Sequence, residues 1–413
     1  MKNNMGISRP ATGLLSALFL LWLMPGVSQG ADVWQETLDQ HFDIAETFND
    51  LQDWYGTTHS SGVGDTHADD HPDRFPKKTD GTPSMWCYYS KWTEPSASDQ
   101  NWIGNFGPGT YWGTGGKSAI IDLSSTRGPS RLGTYFGNGD TNSGYKELYV
   151  FYMVKISRKQ WPTSCGCSVA NCNCGNTGTY SEGQNYSYWG SWKFNTIGTG
   201  WNTCKEWNGS SPPDFADRYG DSNLISSIKV NNYGPIPKLD GRPEQKQNLV
   251  LEMAIHRAPQ DKTKAAPDEN TQITSLSGTA VDMTGKGGAV ITDEWMGVEF
   301  HYKLETQAGS SYNGKFEAWI YNKDGEALRA FYIEGVNFLP SSGSGHRFNR
   351  FFLGGNNSKA YKWGPTMEAP YSVDDFIVDD SRIGPTYFSL QGETPPSTGK
   401  PKAPANLKII SVE

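Results

Sequence analysis

The chain of 413 residues carries 36 Lys or Arg against 44 Asp or Glu, which gives a formal net charge of −8. A net negative chain disfavours nucleic acid and anionic membrane surfaces as partners. It mildly disfavours a polyanionic substrate as well, although local basic patches could override the average charge. The 47 Gly, 24 Pro, 15 Trp, 20 Tyr and 18 Phe indicate aromatic strands separated by many turns, which is typical of an all-β protein.

The N-terminus has the features of a cleaved signal peptide. A sparse positive segment precedes an apolar run, residues 13–24, that is short for a membrane helix. The small residues Ser28 and Gly30 fit the positions before a signal peptidase cleavage site. We therefore expect residues 1–30 to be removed and the mature protein to be secreted, periplasmic or at the cell surface. No later apolar run is long enough for a membrane helix, so membrane insertion is not expected.

Nine strands are predicted along residues 31–390, which we interpret as one domain. Each combines aromatic or β-branched residues with alternating polar positions, and clusters of Gly, Asn, Asp, Ser or Pro separate most of them. The segment Asn322-Lys-Asp-Gly325 predicts a tight hairpin turn, because Asp-Gly supplies the positive φ angles that such turns require. The predicted strands are residues 117–123, 147–156, 192–197, 248–256, 295–305, 315–322, 328–336, 347–353 and 371–379.

The chain changes character after residue 390. Residues 391–404 are rich in Pro, Ser, Thr and Gly and cannot build a core, so they are predicted to be a linker. Residues 405–413 have the length of a single strand. They are either a simple tail or the opening strand of a further module. Residues 391–413 are therefore interpreted as a linker followed by a short C-terminal tail.

Several short motifs, taken in their order along the chain, resemble one known family. They are the hairpin of residues 295–305 and 313–325, the closing strand Asp374-Asp375-Phe376-Ile377-Val378, and the paired segments 147–150 and 192–194. This series is similar to concanavalin A-like jelly-roll domains, most of all to relatives of jelly-roll polysaccharide lyases. The resemblance implies an all-β, two-sheet antiparallel jelly-roll sandwich with long loops, whose concave sheet binds a polysaccharide.

One face of three predicted strands combines the groups that bind sugars. In residues 295–305, Val298 and Phe300 share one face, whereas Glu299 and His301 share the other. Flat aromatic side chains stack on sugar rings, and carboxylates and basic groups supply hydrogen bonds. We therefore predict a glycan groove, although half-exposed strands also carry such residues for solubility alone. The predicted glycan-binding residues are Glu252, Glu299, Glu317 and Trp319.

The same face contains the groups that a polysaccharide lyase requires. β-Elimination needs a base for the proton α to a uronate carboxylate, a cation that neutralises this carboxylate, and an acid for the leaving oxygen. His256 or His301 is the predicted base, and Lys303 or Arg257 is the predicted cation. Tyr321 is the predicted acid, because Tyr302 has the wrong parity for this face.

The stricter signatures of the related enzymes are missing from this sequence. It has neither the Gln-Ile-His triplet and Tyr-x-Lys-x-Gly strand of alginate-lyase-like jelly rolls nor the paired-carboxylate strand of jelly-roll glycosidases. Polysaccharide binding is therefore the first prediction, and a lyase that cleaves a uronate-containing glycan is the alternative. A structural or adhesive surface protein without a glycan site is the third.

The six cysteines admit two interpretations. Four of them lie within residues 165–174, where their thiolates could hold a metal ion or cluster. Their C-x-C spacing differs from the usual zinc knuckle, and an exported protein matures in an oxidising compartment, so disulfides are predicted instead. The pairing stays open, because six cysteines allow fifteen connectivities. They are Cys87, Cys165, Cys167, Cys172, Cys174 and Cys204.

Oxygen donors near the two ends of the domain predict a structural Ca²⁺. Concanavalin A-like domains often hold this ion between an Asp of the closing strand and oxygens near the N-terminal strand. The resemblance therefore implies Asp374 or Asp375 together with Asp43, Asn49 or Asp50, whose hard oxygen atoms suit the ion. The alternative is that the Asp pair only ends an exposed strand.

Overall fold

The computed structural model of the protein describes the strands of the domain together with the helices at its two ends. The six cysteines lie outside the described residues, and so do residues 1–28 of the predicted signal peptide and residues 394–404 of the predicted linker. The remaining residues of these two segments, 29–30 and 391–393, belong to helices. The described residues are 29–51, 64–67, 77–82, 84–86, 88–91, 112–113, 116–122, 130–137, 142–156, 191–199, 222–230, 249–257, 290–291, 293–308, 310–311, 313–336, 338–339, 343–354, 357–358, 370–393 and 409–410.

The described residues form sixteen strands and two helices, and each of the nine predicted strands overlaps an observed one. The helices are α1 (Gln29–Asp39) and α2 (Gly384–Glu393). The strands are β1 (Ile44–Glu46), β2 (Gly64–His67), β3 (Tyr88–Lys91), β4 (Ala119–Asp122), β5 (Ser130–Tyr135), β6 (Glu147–Ile156), β7 (Ser191–Thr199), β8 (Ser222–Val230), β9 (Leu249–Arg257), β10 (Trp295–Lys303), β11 (Gly314–Tyr321), β12 (Ala327–Val336), β13 (Phe348–Gly354), β14 (Asn357–Ser358), β15 (Pro370–Asp379) and β16 (Ile409–Ile410).

The strands form two sheets of eight. The first sheet has the order β1-β15-β6-β10-β11-β12-β16, and β4 also pairs with β15. The second sheet has the order β2-β3-β5-β13-β7-β8-β9, and β14 also pairs with β7. The described neighbours are antiparallel except for β12 and β16, which are parallel. The protein is therefore an all-β, two-sheet jelly-roll sandwich, as the sequence predicts.

The inner core lies between the two sheets and follows the predicted alternation. Val298, Phe300 and Tyr302 of β10 are fully buried and belong to this core. Tyr152 of β6 faces Phe351 of β13 across the sandwich, with ring centroids 6.4 Å apart. Each large apolar side chain that leaves water in this way contributes about 2 kcal/mol to the free energy of unfolding.

A second apolar layer covers the opposite face of the first sheet. Phe151 of β6 packs on Tyr387 and Phe388 of α2, with ring centroids 4.6 and 6.1 Å apart. Trp34 and Leu38 are four residues apart on α1, so they share one helix face, and both are buried in this layer. Neither helix was predicted from the sequence. Neither of them, within the described part of the chain, is long and apolar enough to cross a membrane.

The predicted hairpin turn joins β11 to β12 and contacts the second helix. The Gly325 N–H donates to the Asn322 carbonyl at 3.0 Å, and Gly325 has a φ of 82°. A Cβ atom at this glycine would lie 2.8 Å from Cγ of Phe388. Glycine is therefore required here both by the turn and by the approach of α2.

The outer apolar layer predicts a large effect of truncating its central aromatic residue. Phe388→Ala is expected to lower the free energy of unfolding by about 3 kcal/mol, because it leaves a cavity beside Phe151 and Tyr321. Urea denaturation measures the loss, and Ser389→Ala, an exposed position on the same helix, is the matched control with a change of about 0.5 kcal/mol or less. Equal stability of the two variants would show that α2 does not depend on this packing.

Candidate functional site

The predicted glycan face is divided between the two sheets. Glu252 and His256 belong to β9, which pairs with β8 at the end of the second sheet. The prediction that they converge with the remaining residues is therefore wrong. The chain crosses from one sheet to the other between β9 and β10, and a sequence pattern does not reveal such a crossing. The remaining residues lie on β10 and β11 of the first sheet, and they are Glu299, His301, Lys303, Glu317, Trp319 and Tyr321.

One end of the first-sheet group is buried beneath the segment that leads into α2. Glu299 is 0% exposed and accepts hydrogen bonds from the Tyr321 hydroxyl and, at 2.6 Å, from the Ile383 N–H. Arg382 lies 3.6 Å from the same carboxylate and donates to the Tyr321 oxygen at 3.1 Å. Burial raises the pKa of Glu299, and the hydrogen bond from Tyr321 only partly opposes that rise. These groups therefore attach α2 to the sheet and leave no groove for a sugar.

Trp319 does not offer an open stacking surface. Its side chain is 6% exposed, and the Arg382 guanidinium lies over its ring at 4.3 Å from the centroid. The face that a sugar would need is thus occupied by a cation–π contact within the protein.

His301 lies at the centre of a closed charge network. Its two ring nitrogens are each 2.9 Å from a carboxylate, Glu147 on one side and Glu317 on the other. Both ring nitrogens of His301 are thus engaged by carboxylates, and its side chain is only 3% exposed. Lys303 contacts Glu147 at 2.7 Å, and Lys315 contacts Glu317 at 2.6 Å. His301 therefore directs neither ring nitrogen towards a substrate, and Lys303 already has an anionic partner.

The catalytic prediction therefore does not describe one site. His256 is on the second sheet, whereas His301, Lys303 and Tyr321 are on the first. Tyr321 is fully buried, and burial together with the Glu299 charge holds its pKa well above the usual range. A general acid must reach the leaving oxygen of its substrate, which this tyrosine does not.

The Asp pair of β15 is committed to hydrogen bonds with the helices and loops. A register shift in β15 and a φ of 48° at Asp375 mark a β-bulge, which turns this carboxylate towards the helices. Its oxygens accept from Trp34 Nε1 at 3.1 and 3.2 Å and from the Tyr387 hydroxyl. Asp374 accepts from the Trp112 N–H at 2.8 Å.

The donors predicted for Ca²⁺ have separate partners in this structure. Asp43 accepts from the Tyr145 hydroxyl at 3.2 Å, and Asn49 accepts from the Lys117 N–H at 2.7 Å. The described residues contain no group of three or more His, Cys, Asp or Glu side chains that could hold a metal ion. Asp374, Asp375, Asp43 and Asn49 are thus each hydrogen-bonded to other groups in this structure, and the Ca²⁺ site stays a prediction.

A different constellation follows from the register of the second sheet. His256 of β9 pairs with Asn223 of β8, and Asn223 pairs with Gly198 of β7. Gly198 pairs in turn with Arg350 of β13, which pairs with Tyr135 of β5. Directly paired residues of antiparallel strands are neighbours, so these five form one cross-strand row. We call them the cross-strand row.

Arg350 occupies the middle of the cross-strand row because Gly198 leaves room for it. A Cβ atom on Gly198 would lie 2.1 Å from Arg350 Nε, so any other residue would displace the guanidinium. Arg350 is 1% exposed and also lies over the Phe352 ring, 5.6 Å from its centroid. A guanidinium in a low-dielectric setting attracts a carboxylate more strongly than one in water.

Sequence reasoning missed Arg350 and Tyr135 as functional candidates. Residues 347–353 were predicted as a strand, but the row depends on four successive strand pairings that are distant along the chain. The one local signal is Gly198 within a strand, because a strand glycine often marks the close approach of another group.

Comparisons with known proteins give the following results. No family model and no curated protein matches the chain. Among solved structures, an alginate lyase Aly36B variant in complex with alginate trisaccharide is 12% identical, with a TM-score of 0.38 over 80% of this chain and 98% of that one. The alginate lyase vAL-1 from Chlorella virus is 9% identical, with a TM-score of 0.34 over 68% and 91%.

A third solved structure is the endo-β-1,4-glucuronan lyase from the fungus Trichoderma reesei. It is 10% identical, with a TM-score of 0.31 over 71% of this chain and 94% of that one. These TM-scores are below 0.5, and we draw no functional conclusion from them.

The buried carboxyls predict that the protein loses stability as the pH rises. Burial raises the pKa of Glu46 to about 7 and that of Asp375 to about 6, although hydrogen bonds from Phe48 and from Tyr387 and Trp34 oppose the rise. The folded state thus binds more protons than the unfolded state between about pH 4 and pH 7. Each of these two carboxyls is expected to contribute about 3 kcal/mol to the free energy of unfolding below this pH window, and this contribution is lost as the pH rises through it.

Urea denaturation across pH 4 to 8 measures this loss, and Glu46→Gln should reduce its size. The matched control is Glu147→Gln. Burial raises the pKa of Glu147, but hydrogen bonds from Lys303 and His301 outweigh burial and leave this pKa lowered. The stability that Glu147 contributes is therefore lost as the pH falls, not as it rises. Glu147→Gln should for this reason retain the decline in the free energy of unfolding between about pH 4 and pH 7. A wild-type stability that is flat or rises across this window would contradict the assignment.

Proposed function

We propose that the protein is an exported polysaccharide-binding protein that binds an acidic polysaccharide at the cross-strand row of the second sheet. The observation that supports this proposal is the row itself, in which Arg350 is held over Gly198 and is flanked by Tyr135 and by Asn223 with His256. The predicted face on the first sheet is closed by α2 and by its own ion pairs.

The residue types of the row suit a uronate-containing glycan. The planar guanidinium of arginine can donate two parallel hydrogen bonds to one carboxylate, which makes it more selective for this group than an ammonium. Amide and phenol groups such as those of Asn223 and Tyr135 donate to and accept from sugar hydroxyls. Tyr135 is partly exposed beside the buried Arg350, so it marks the edge at which a sugar would reach the row.

A polysaccharide lyase is the second candidate, because the row contains each group that β-elimination needs. His256 would take the proton α to the uronate carboxylate, and the electron pair of that C–H bond would form the new C=C bond as the glycosidic C–O bond breaks. Arg350 would neutralise the carboxylate while negative charge develops there. Tyr135 would give a proton to the leaving oxygen. His256 thus keeps its predicted role, whereas Arg350 and Tyr135 replace Lys303 and Tyr321.

Binding to a panel of acidic and neutral polysaccharides tests the first proposal. Affinity electrophoresis with alginate, pectate and glucuronan is expected to retard the protein, whereas a neutral β-glucan is not. Arg350→Gln should weaken the retardation by about tenfold, because it removes a charged hydrogen-bond donor. Thermal melting of this variant tests whether it is folded, because the substitution of a buried residue such as Arg350 can destabilise the protein.

Trp319→Ala is the matched control on the first sheet and should bind as well as the wild type. If Trp319→Ala loses binding and Arg350→Gln retains it, the site lies on the first sheet and the proposal is wrong. If no acidic polysaccharide binds at all, a structural or adhesive surface protein becomes the better description.

The lyase is tested by the ultraviolet absorbance of the conjugated double bond that β-elimination creates. An active enzyme should raise this absorbance with at least one uronate polymer, and His256→Gln should abolish the rise while leaving binding within about threefold of the wild type. A constant absorbance with every polymer that the protein binds would refute the enzyme and leave the binding proposal intact.

A further inference from the structure

A cavity of about 390 Å³ opens at one end of the sandwich, where β6 begins and β10 ends. The segment that precedes β13 forms its other wall. This volume lies in the range of ligand sites, which run from about 300 to 1,000 Å³. None of the residues of the cross-strand row lines this cavity, so it is a separate place on the molecule.

The cavity is lined by more basic than acidic side chains, although the chain as a whole has a net charge of −8. The basic side chains are those of Lys146, Lys303, His346 and Arg347. Lys146 is exposed, and Arg347 is held in place because its Nη1 donates to the backbone carbonyls of Gly345 and His346.

The two carboxylates in the cavity wall are already engaged. Glu305 accepts from the Phe338 N–H at 2.9 Å and from the Leu339 N–H at 2.7 Å, which uses both of its oxygens. Glu147 contacts His301 at 2.9 Å and Lys303 at 2.7 Å. Among the described residues, neither carboxylate forms an ion pair with Lys146 or Arg347. The positive charge of these two residues therefore dominates the cavity.

The rest of the cavity wall combines apolar and hydroxyl groups. Leu304, Ala308 and Leu339 supply an apolar surface, and Thr306 and Ser344 supply hydroxyls. A sugar ring has both a C–H surface and hydroxyl groups, whereas a small inorganic anion has no use for the apolar wall. A ligand that matches every part of the cavity therefore has a carboxylate, hydroxyls and a compact apolar face.

We propose that this cavity is a second binding site, which takes one carboxylate-bearing sugar unit. Lys146 and Arg347 bind the carboxylate, the two hydroxyl side chains bind sugar hydroxyls, and the apolar wall contacts the ring. The anionic character of the ligand follows from the cavity itself, and the choice of a sugar rests on the proposed function.

Calorimetric titration with sodium glucuronate, glucose and sodium acetate tests the site. Glucuronate is expected to bind saturably and at least tenfold more tightly than either of the others, because only it has both a carboxylate and a sugar ring. Lys146→Gln or Arg347→Gln should weaken glucuronate binding by about tenfold, and the double variant should abolish it. Lys323→Gln, an exposed hairpin lysine beside Asp324, is the matched control and should bind as well as the wild type.

Three outcomes would overturn the proposal. They are no saturable binding of glucuronate, equal binding of acetate or glucose, and unchanged affinity in the Lys146 and Arg347 variants. Arg350→Gln separates this site from the cross-strand row, since Arg350 does not line the cavity and the variant should keep the cavity's saturable glucuronate binding, which the double variant loses. Retained glucuronate binding together with absent polysaccharide binding would refute the proposed function alone. Glucuronate binding that is lost in Arg350→Gln and kept in the double variant would assign the ligand to the row.

Discussion

The central strand β6 is apolar on both of its faces, and the rest of the structure depends on covering both. Its residues Val150 and Tyr152 face the inner core, whereas Phe151 and Met153 face the opposite side. A strand of this kind is stable in water only when each face packs on another layer. The second sheet covers one face, and the two helices cover the other.

Attaching two helices to a sheet places polar groups where water cannot reach them, and the structure satisfies these groups within the protein. Glu299 accepts the backbone N–H before α2, and Asp375 accepts hydrogen bonds from one aromatic residue of each helix, Trp34 and Tyr387. Buried carboxyls without such partners would destabilise the fold by several kcal/mol each. The same burial explains why Glu299 and Trp319, which were predicted to bind sugar, instead form the interface between the first sheet and the segment that leads into α2. Composition alone therefore does not distinguish a binding groove from a polar helix-docking surface.

The sequence predicted much of the fold from local pattern, and less of the site. Strands such as β6 and β10 show the alternation of apolar residues directly, and the Asp-Gly turn before β12 is encoded by two adjacent residues. The pairing of Glu299 with Trp319 and of His301 with Glu317 was also within reach, because only residues 304–313 separate β10 from β11 along the chain. In contrast, α2 was missed because Gly384 and Pro385 open it and its apolar residues lack a strong helical period.

The sequence by itself determined an all-β sandwich with predicted strands in the right places and the alternation that directs Phe300 inward. Only the tertiary structure decided which sheet each strand joins, which face the helices cover, and which polar residues meet. His256, Arg350 and Tyr135 form one row through pairings that span more than half of the chain, whereas His256 and His301 lie on different sheets. The physical reason is that strand alternation is a local property with a period of two residues, whereas strand order results from packing between distant segments.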